Sequence, residues 1–474
     1  MMKKPGFLTV TLSSLLLTAC VAPQTGLDTA EHIEMLQQDQ KKLGFDEVKK
    51  ETITLSLQEA LMRGVDYNLD AQVAALEALA AGEEINLARL NAFPSLMLSS
   101  SYIGRSNKGA ASSRSILTNT QSLEPSYSTE QYRDVQDLSM NWNLINILLA
   151  VSETQTAKAQ HSIAQERLQK VRQNIQKDIY SAYFRALAAQ ETEKISERLI
   201  REGDTHLRNL QRAQQKQLLS GEIVSSKSRD IQTALATLKT QQGELSLALT
   251  ELKSLLSLPQ TVHLQLSGDL KGDEKRISRL LSEDVRAQEA EALKNRPEVR
   301  ELVLQDNINA QAIREEVIRT VPGAELFFAM NRDSNDFLRE SQWGNFTLTL
   351  QQNLVSLLTY PSRKRHAENQ KKIDEARRLS LSLAALTQVH LARQRLDYLS
   401  DLYRHAKKMQ KHEQFLSFAS AQKEKAGFMN AQDAFLQEVE AQIKKIELYQ
   451  YVIDVQDAYA TLNNTLGRDL LPRR

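Results

Sequence analysis

The second half of this 474-residue chain repeats the first, and that constrains its fold more than any single motif. Asn143-Leu144-Ile145-Asn146-Ile147-Leu148 recurs 210 residues later as Asn353-Leu354-Val355-Ser356-Leu357-Leu358. Ala157-Lys158-Ala159-Gln160 recurs at the same spacing as Ala367-Glu368-Asn369-Gln370. Upstream, Phe93-Pro94-Ser95-Leu96 parallels Val321-Pro322-Gly323-Ala324, and Glu59-Ala60-Leu61 with Asn68 parallels Glu291-Ala292-Leu293 with Asn295. Downstream, Ser220-Gly221 parallels Ala426-Gly427, and Leu258-Pro259 parallels Leu471-Pro472. The expected organisation is one unit used twice, over 53–260 and 285–474, joined by a linker at 261–284.

Inside each copy the apolar period changes from helix to strand and back. Residues 57–92 and 285–320 carry apolar positions three and four apart, the signature of a helix buried on one face, and each run ends at a proline. Period-two alternation then predicts strand pairs within 94–144 and 323–351. Leu96, Leu98 and Tyr102 alternate with serines, and Leu138, Met140 and Trp142 with Ser139 and Asn141; Phe346, Leu348 and Leu350 alternate with Asn345, Thr347 and Thr349. Polar loops, 105–134 and 331–342, separate the paired strands. About nine residues of alternation suit a transmembrane β-strand, and a half-buried soluble sheet gives the same pattern. Four such strands cannot close a barrel alone, so the membrane reading requires oligomers: two copies fill their interior with side chains, three leave a channel.

Composition enters through its scarcity of breakers. Only 16 glycines and 9 prolines occur, with Gly203 the one breaker between Leu148 and Ser220 and none between Ser362 and Ala426. Each stretch predicts a helix of about 65–70 residues, near 100 Å long at 1.5 Å per residue. The chain returns through shorter segments past turns near 221 and 427, so two short helices stacked end to end match one long one. Leu168, Val171, Ile175, Ile179 and Tyr183 form a coiled-coil-like seam. The fold class is therefore mainly α with a small β part. With 60 Lys+Arg against 59 Asp+Glu, bulk charge gives no reason to expect a nucleic-acid partner.

The N-terminus reads as a targeting segment: Lys3-Lys4, an apolar stretch too short to span a bilayer, then Leu17-Thr18-Ala19-Cys20. This resembles a bacterial lipobox, in which the leader (1–19) is cut before a lipid-bearing cysteine, and Cys20 is the only cysteine present. Val21 follows it, which by the same resemblance directs the protein to the outer membrane, with 20–52 as a polar tether containing a weak helix at 29–43.

These residues in this order resemble the TolC family of outer-membrane efflux proteins over essentially the whole mature chain. The likeness rests on Leu57-Gln58-Glu59-Ala60-Leu61 with Asn68, the Pro94-Ser95-Leu96 switch from helix to strand, and the Asn-Leu-x-x-x-Leu switches from strand to helix. Gly427-x-x-Asn430-x-x-Asp433 at the second hairpin completes it. The resemblance implies a homotrimer with four strands per protomer in a twelve-stranded barrel, continued by an α-helical periplasmic tunnel. It implies docking of the hairpin tips, here Gly221, Ser225, Gly427 and Asn430, on a periplasmic adaptor, and an inner-membrane pump or ABC transporter upstream. The implied activity is a passive exit duct, not an enzyme, without cofactor or bound metal, serving efflux or type I secretion.

Carried over by position, Asp433 is the aperture carboxylate; the alternative is an acid stabilising a helix start. Met429 stands where some family members carry a locking arginine, and the first tip, Gly221 to Lys227, lacks the aspartate. Both tip glycines read as left-handed turn residues. Trp142, Trp343, Tyr102 and Tyr360 suit aromatic girdles at a membrane interface, and would equally pack under a soluble sheet. Arg363-Lys364-Arg365 either meets anionic headgroups of outer-membrane lipid or is a solvated charge run. The eight histidines are scattered, and no Ser/His/Asp set, P-loop or dinucleotide fingerprint is present. The rival reading is a structural coiled-coil lipoprotein of the outer membrane without a pore.

Overall fold

The computed structural model describes residues 29–42, 52–121, 124–270 and 273–471; the leader, Cys20 and Pro472 lie outside them. A helix α1 (Thr29–Lys42) precedes the first repeat. That repeat contains α2 (Leu57–Tyr67), α3 (Leu69–Leu90), β2 (Ser95–Gly104), β3 (Tyr132–Asn143), α4 (Leu144–Gln215) and α5 (Gly221–Leu255). The second contains α7 (Val285–Asn295), α8 (Pro297–Ile318), β5 (Gly323–Asp333), β6 (Gln342–Gln351), α9 (Leu354–Lys425) and α10 (Ala431–Thr465). The lengths match element by element: 11 and 22 residues for the short helices, 72 for the long ones and 35 for the returning ones, in both copies.

Each 72-residue helix is about 108 Å long. The α3–β2, β3–α4, α8–β5 and β6–α9 junctions gather at one end of this length, and the α4–α5 and α9–α10 hairpins at the other. The junctions have a local cause. Asn143, the last residue of β3, and Asn353, two residues past β6, accept hydrogen bonds from the backbone N–H groups of Ile145 (3.1 Å) and Val355 (3.0 Å), so the Asn-Leu dipeptide is a helix N-cap. Pro361 is accommodated inside α9, which begins at Leu354 rather than after the proline.

Three expectations change. The 57–92 and 285–320 runs are each two helices, broken at Asn68 and Arg296. Asn68 caps α3 by accepting from Asp70 N–H (2.9 Å), and its amide reaches the Leu255 carbonyl at the end of α5 (3.2 Å). The break thus seats the top of one helix against the foot of another. The segment read as a linker folds into β4 (His263–Ser267) and α6 (Glu274–Ser282), and β4 pairs in parallel with β1 (Thr52–Ser56), where the expected tether meets the first repeat. Such five-residue strands carry too little pattern to announce a partner more than two hundred residues away.

This small sheet rests on the middle of α4. The Tyr183 hydroxyl lies 2.5 Å from the Ser267 carbonyl and 3.1 Å from that of Leu55, and burial pushes its phenol up to about 12. Gln190 donates to the Leu264 carbonyl and accepts from Leu266 N–H. The core runs along this stretch, through Ile179, Leu187 and Leu199 of α4 and Val439, Val455 and Leu462 of α10. α4 packs along α3, α5, α8 and α10. Below α10 the chain is pinned by Arg468, whose guanidinium donates to Glu291 and Glu283 at 2.6–2.8 Å.

Candidate functional site

Two regions answer to the sequence-derived sites. The first is the four-stranded antiparallel sheet, in the order β2-β3-β5-β6. Its register collects Leu96, Leu98, Leu138, Met140, Trp142, Leu326, Phe328, Phe346, Leu348 and Leu350 on one face, and Ser99, Asp137, Ser139, Asn141, Glu325, Thr347 and Thr349 on the other. The polar face is internally bonded: Ser99 to Asp137, Asn141 to Glu325, Arg133 to Asp333. The apolar face is bare, with Leu98 78% and Leu350 72% exposed. A surface of that size and continuity is not left to water by a folded protein. The outer edges of β2 and β6 have no partner strand among the described residues. No described helix is long and apolar enough to cross a membrane.

The aromatic residues divide. Trp142 ends the apolar face beside the helices and donates its indole N–H to the Ala92 carbonyl at 2.9 Å. Tyr102 ends the same face at the loop side, stacked on Tyr132 with ring centroids 6.2 Å apart. On this face the apolar residues of β3 run from Leu138 to Trp142, and beyond them Gln136 and Asp134, beside Ser100 and Arg332, lead on to the aromatic pair Tyr132 and Tyr102. Trp343 departs from expectation: it pairs with Asn331 and lies on the polar face, because strand parity sets it opposite to Phe346. Tyr360 is half-buried in the second turn of α9. Arg363, Lys364 and Arg365 follow it, bonded to Glu316 (3.3 Å), Glu368 (3.9 Å) and the Ser362 hydroxyl (3.2 Å).

The second region is the pair of hairpin tips. α9 closes with a left-handed residue, Gly427 (φ 77°), whose N–H donates to Glu424 while Phe428 N–H donates to Lys423. α4 closes in the same way through Gln217 (φ 56°), with Leu218 N–H bonded to Ala213. The left-handed residue of the first tip is therefore Gln217; Gly221 is the first residue of α5, behind its cap Ser220. Asn430 caps α10, accepting from Asp433 N–H (2.8 Å) and donating to the Asp433 carboxylate (2.7 Å). Asp433 also pairs with Lys227 of α5, and Lys227 with Asn430 holds its carboxyl below the usual range. It is thus a helix-start acid that fastens one hairpin to the other, its charge met by Lys227. Ser225 is exposed at the start of the second turn of α5. Sequence reasoning passed over Leu218 and Phe428, which follow the two left-handed residues and stand 71% and 86% exposed. No group of three metal-ligating side chains occurs among the described residues.

No protein-family model matches the chain, and no curated protein matches it by sequence. Solved structures do match. The CmeC outer-membrane channel of Campylobacter jejuni is 13% identical with a TM-score of 0.68, over 87% of this chain and 85% of that one. The open-state MtrE outer-membrane channel of Neisseria gonorrhoeae is 14% identical with a TM-score of 0.65, over 88% and 89%. The outer-membrane protein VceC of Vibrio cholerae is 13% identical with a TM-score of 0.59, over 87% and 96%. This chain has the outer-membrane channel fold. At these identities the fold is shared while the side chains are not, so the channel fold fixes where the sheet and tips sit and leaves their chemistry to this sequence.

Proposed function

We propose that the protein is the outer-membrane exit duct of a tripartite export system, passively conducting small molecules or polypeptide delivered by an inner-membrane transporter. The observation that carries this reading is the sheet: one bare apolar face, one bonded polar face and two unpaired edges, on helices long enough to cross a periplasm. Unpaired strand edges are untenable in lipid, and three copies supply twelve strands, enough to close a barrel around water. In this reading the apolar face meets lipid, Trp142 and Tyr102 mark the interfaces, and lipidation of Cys20 adds an anchor. The tips, with Leu218 and Phe428 projecting, meet a periplasmic adaptor. The chain's part is conduction rather than catalysis, and drug efflux and type I secretion share this duct.

The test is the mass of the particle extracted from outer membranes in mild detergent, corrected for bound detergent. A trimer, near three times 53.6 kDa less the leader, is the expected result. A stable monomer or dimer overturns the channel and leaves a helical lipoprotein strut.

A further inference from the structure

Under the sheet, the last turns of α8 and the third to fifth turns of α9 line a cleft of about 530 Å³. Its walls carry both signs of charge: Arg319, Arg363 and His366 with Glu315 and Glu316. Arg363 and Glu316 pair at 3.3 Å, whereas Arg319 and Glu315 have no ion-pair partner among the described residues. On the membrane side the cleft continues into bare apolar surface. Leu354 (70% exposed) and Leu358 (81%) stand on the face of α9 that leads, four residues at a time, to Ser362 and His366 in the cleft.

Along α8, from the sheet outward, aliphatic surface gives way to Arg319 and then, a turn on, to Glu316 and Glu315; on α9, Arg363 stands level with Glu316 and His366 a turn beyond. The order along α8 is that of acyl chain, phosphate and ammonium in a zwitterionic phospholipid standing in the periplasm-facing leaflet. The cleft belongs to the second repeat alone: at the positions of Arg363 to His366 the first repeat has Glu153-Thr154-Gln155-Thr156, with Glu153 bonded to Asn91 of its own protomer (2.9 Å). We infer that the α8–α9 cleft binds a phospholipid carrying a primary ammonium group, with its phosphate between Arg319 and Arg363 and its ammonium at Glu315. This rests on the membrane reading proposed above. An anionic headgroup satisfies the two arginines and leaves Glu315 facing a hydroxyl. A quaternary headgroup meets Glu315 without an N–H to donate.

Native mass spectrometry of the detergent-extracted protein, offered an equal mixture of phosphatidylethanolamine, phosphatidylglycerol and phosphatidylcholine with identical acyl chains, tests this. Phosphatidylethanolamine adducts are expected to exceed each of the others by about threefold, the scale of one partly exposed ion pair. Glu315→Gln is expected to abolish that preference while leaving total lipid binding, and Arg319→Gln with Arg363→Gln to lower binding of all three. Equal binding of the three lipids by the unaltered trimer, or a preference that survives Glu315→Gln, overturns the site. The duct reading stands in either case, because the trimer mass is read in the same spectrum. A particle that is not trimeric overturns both.

Discussion

The two long helices are copies of one element with opposite fates. α4 and α9 have 72 residues each, begin at 144 and 354 behind the same asparagine cap, and end in the same left-handed turn. Yet α4 is surrounded by α3, α5, α8 and α10, whereas α9 has α10, α8, α7 and α6 on one side and bare surface on the other. Ile163 and Ile373 occupy equivalent positions, and they are 6% and 46% exposed. Duplication set the length and the caps; the fold then made one copy an inner strut and the other a rim. Apolar residues on the open side of α9, such as Leu383 and Leu391, are exposed in the single chain.

This contrast can be broken experimentally. The largest effect is expected from Gly467→Ala. Gly467 (φ 72°) closes α10, and a Cβ there meets the Asn295 backbone at 2.8 Å, while its carbonyl holds Gln173 of α4 (3.0 Å). Strain and overpacking together are expected to cost about 4 kcal/mol and to detach the C-terminal segment from α4, seen as a lower thermal midpoint. Next comes the matched pair: Ile163→Ala is expected to cost about 2–4 kcal/mol, and Ile373→Ala less than about 1 kcal/mol in a dissociated protomer. Equal losses in dissociated protomers dismiss the inner-strut and rim distinction. If copies pack on α9, Ile373→Ala also lowers the temperature at which the trimer dissociates.

Smaller effects are expected at the two ends. Trp142→Phe removes the indole bond to Ala92 and should cost about 1 kcal/mol, read from thermal unfolding in detergent. At the tips, Lys227→Met removes the α5–α10 pair and, because the pair is partly exposed and screened, should cost less than about 1 kcal/mol. The folded Asp433 carboxyl lies below its ordinary value. Its contribution is therefore complete above that ordinary value and lost as pH falls through the lowered one. Spin labels at Ser225 and Gln437 should report hairpin separation only in acid for the unaltered protein, and at all pH values for Lys227→Met.

Much of this was legible in residue order, and the slips in repeat register share one cause. Sequence comparison matched Ser220-Gly221 to Ala426-Gly427, offset 206, where the folded repeats hold an offset of 210 (144 and 354, 221 and 431). It matched Glu59 to Glu291, offset 232, where the short helices hold 228 (57 and 285). Both slips are four residues, about one helical turn, which returns apolar side chains to nearly the same face. A periodic pattern cannot see such a shift. The match of Leu258-Pro259 to Leu471-Pro472 slipped by three, since the equivalent ends are Leu256-Ser257 and Leu466-Gly467, each a buried leucine before a left-handed residue. Trp343 has a different cause: its residue type suits a girdle, while its odd place in a period-two strand sets it on the polar face.

The sequence by itself determined what repeats locally: the duplication, the breaker-free lengths of the long helices, the strands with their two unlike faces, and the asparagine caps. Each depends on neighbours within a turn or a pleat, so it is written in the order of residues. The tertiary structure decided register within the helical column, the pairing of β1 with β4, the lysine that neutralises Asp433, and which copy of the long helix is enclosed. Those follow from contacts between segments remote in the chain, which a short-range periodicity does not encode.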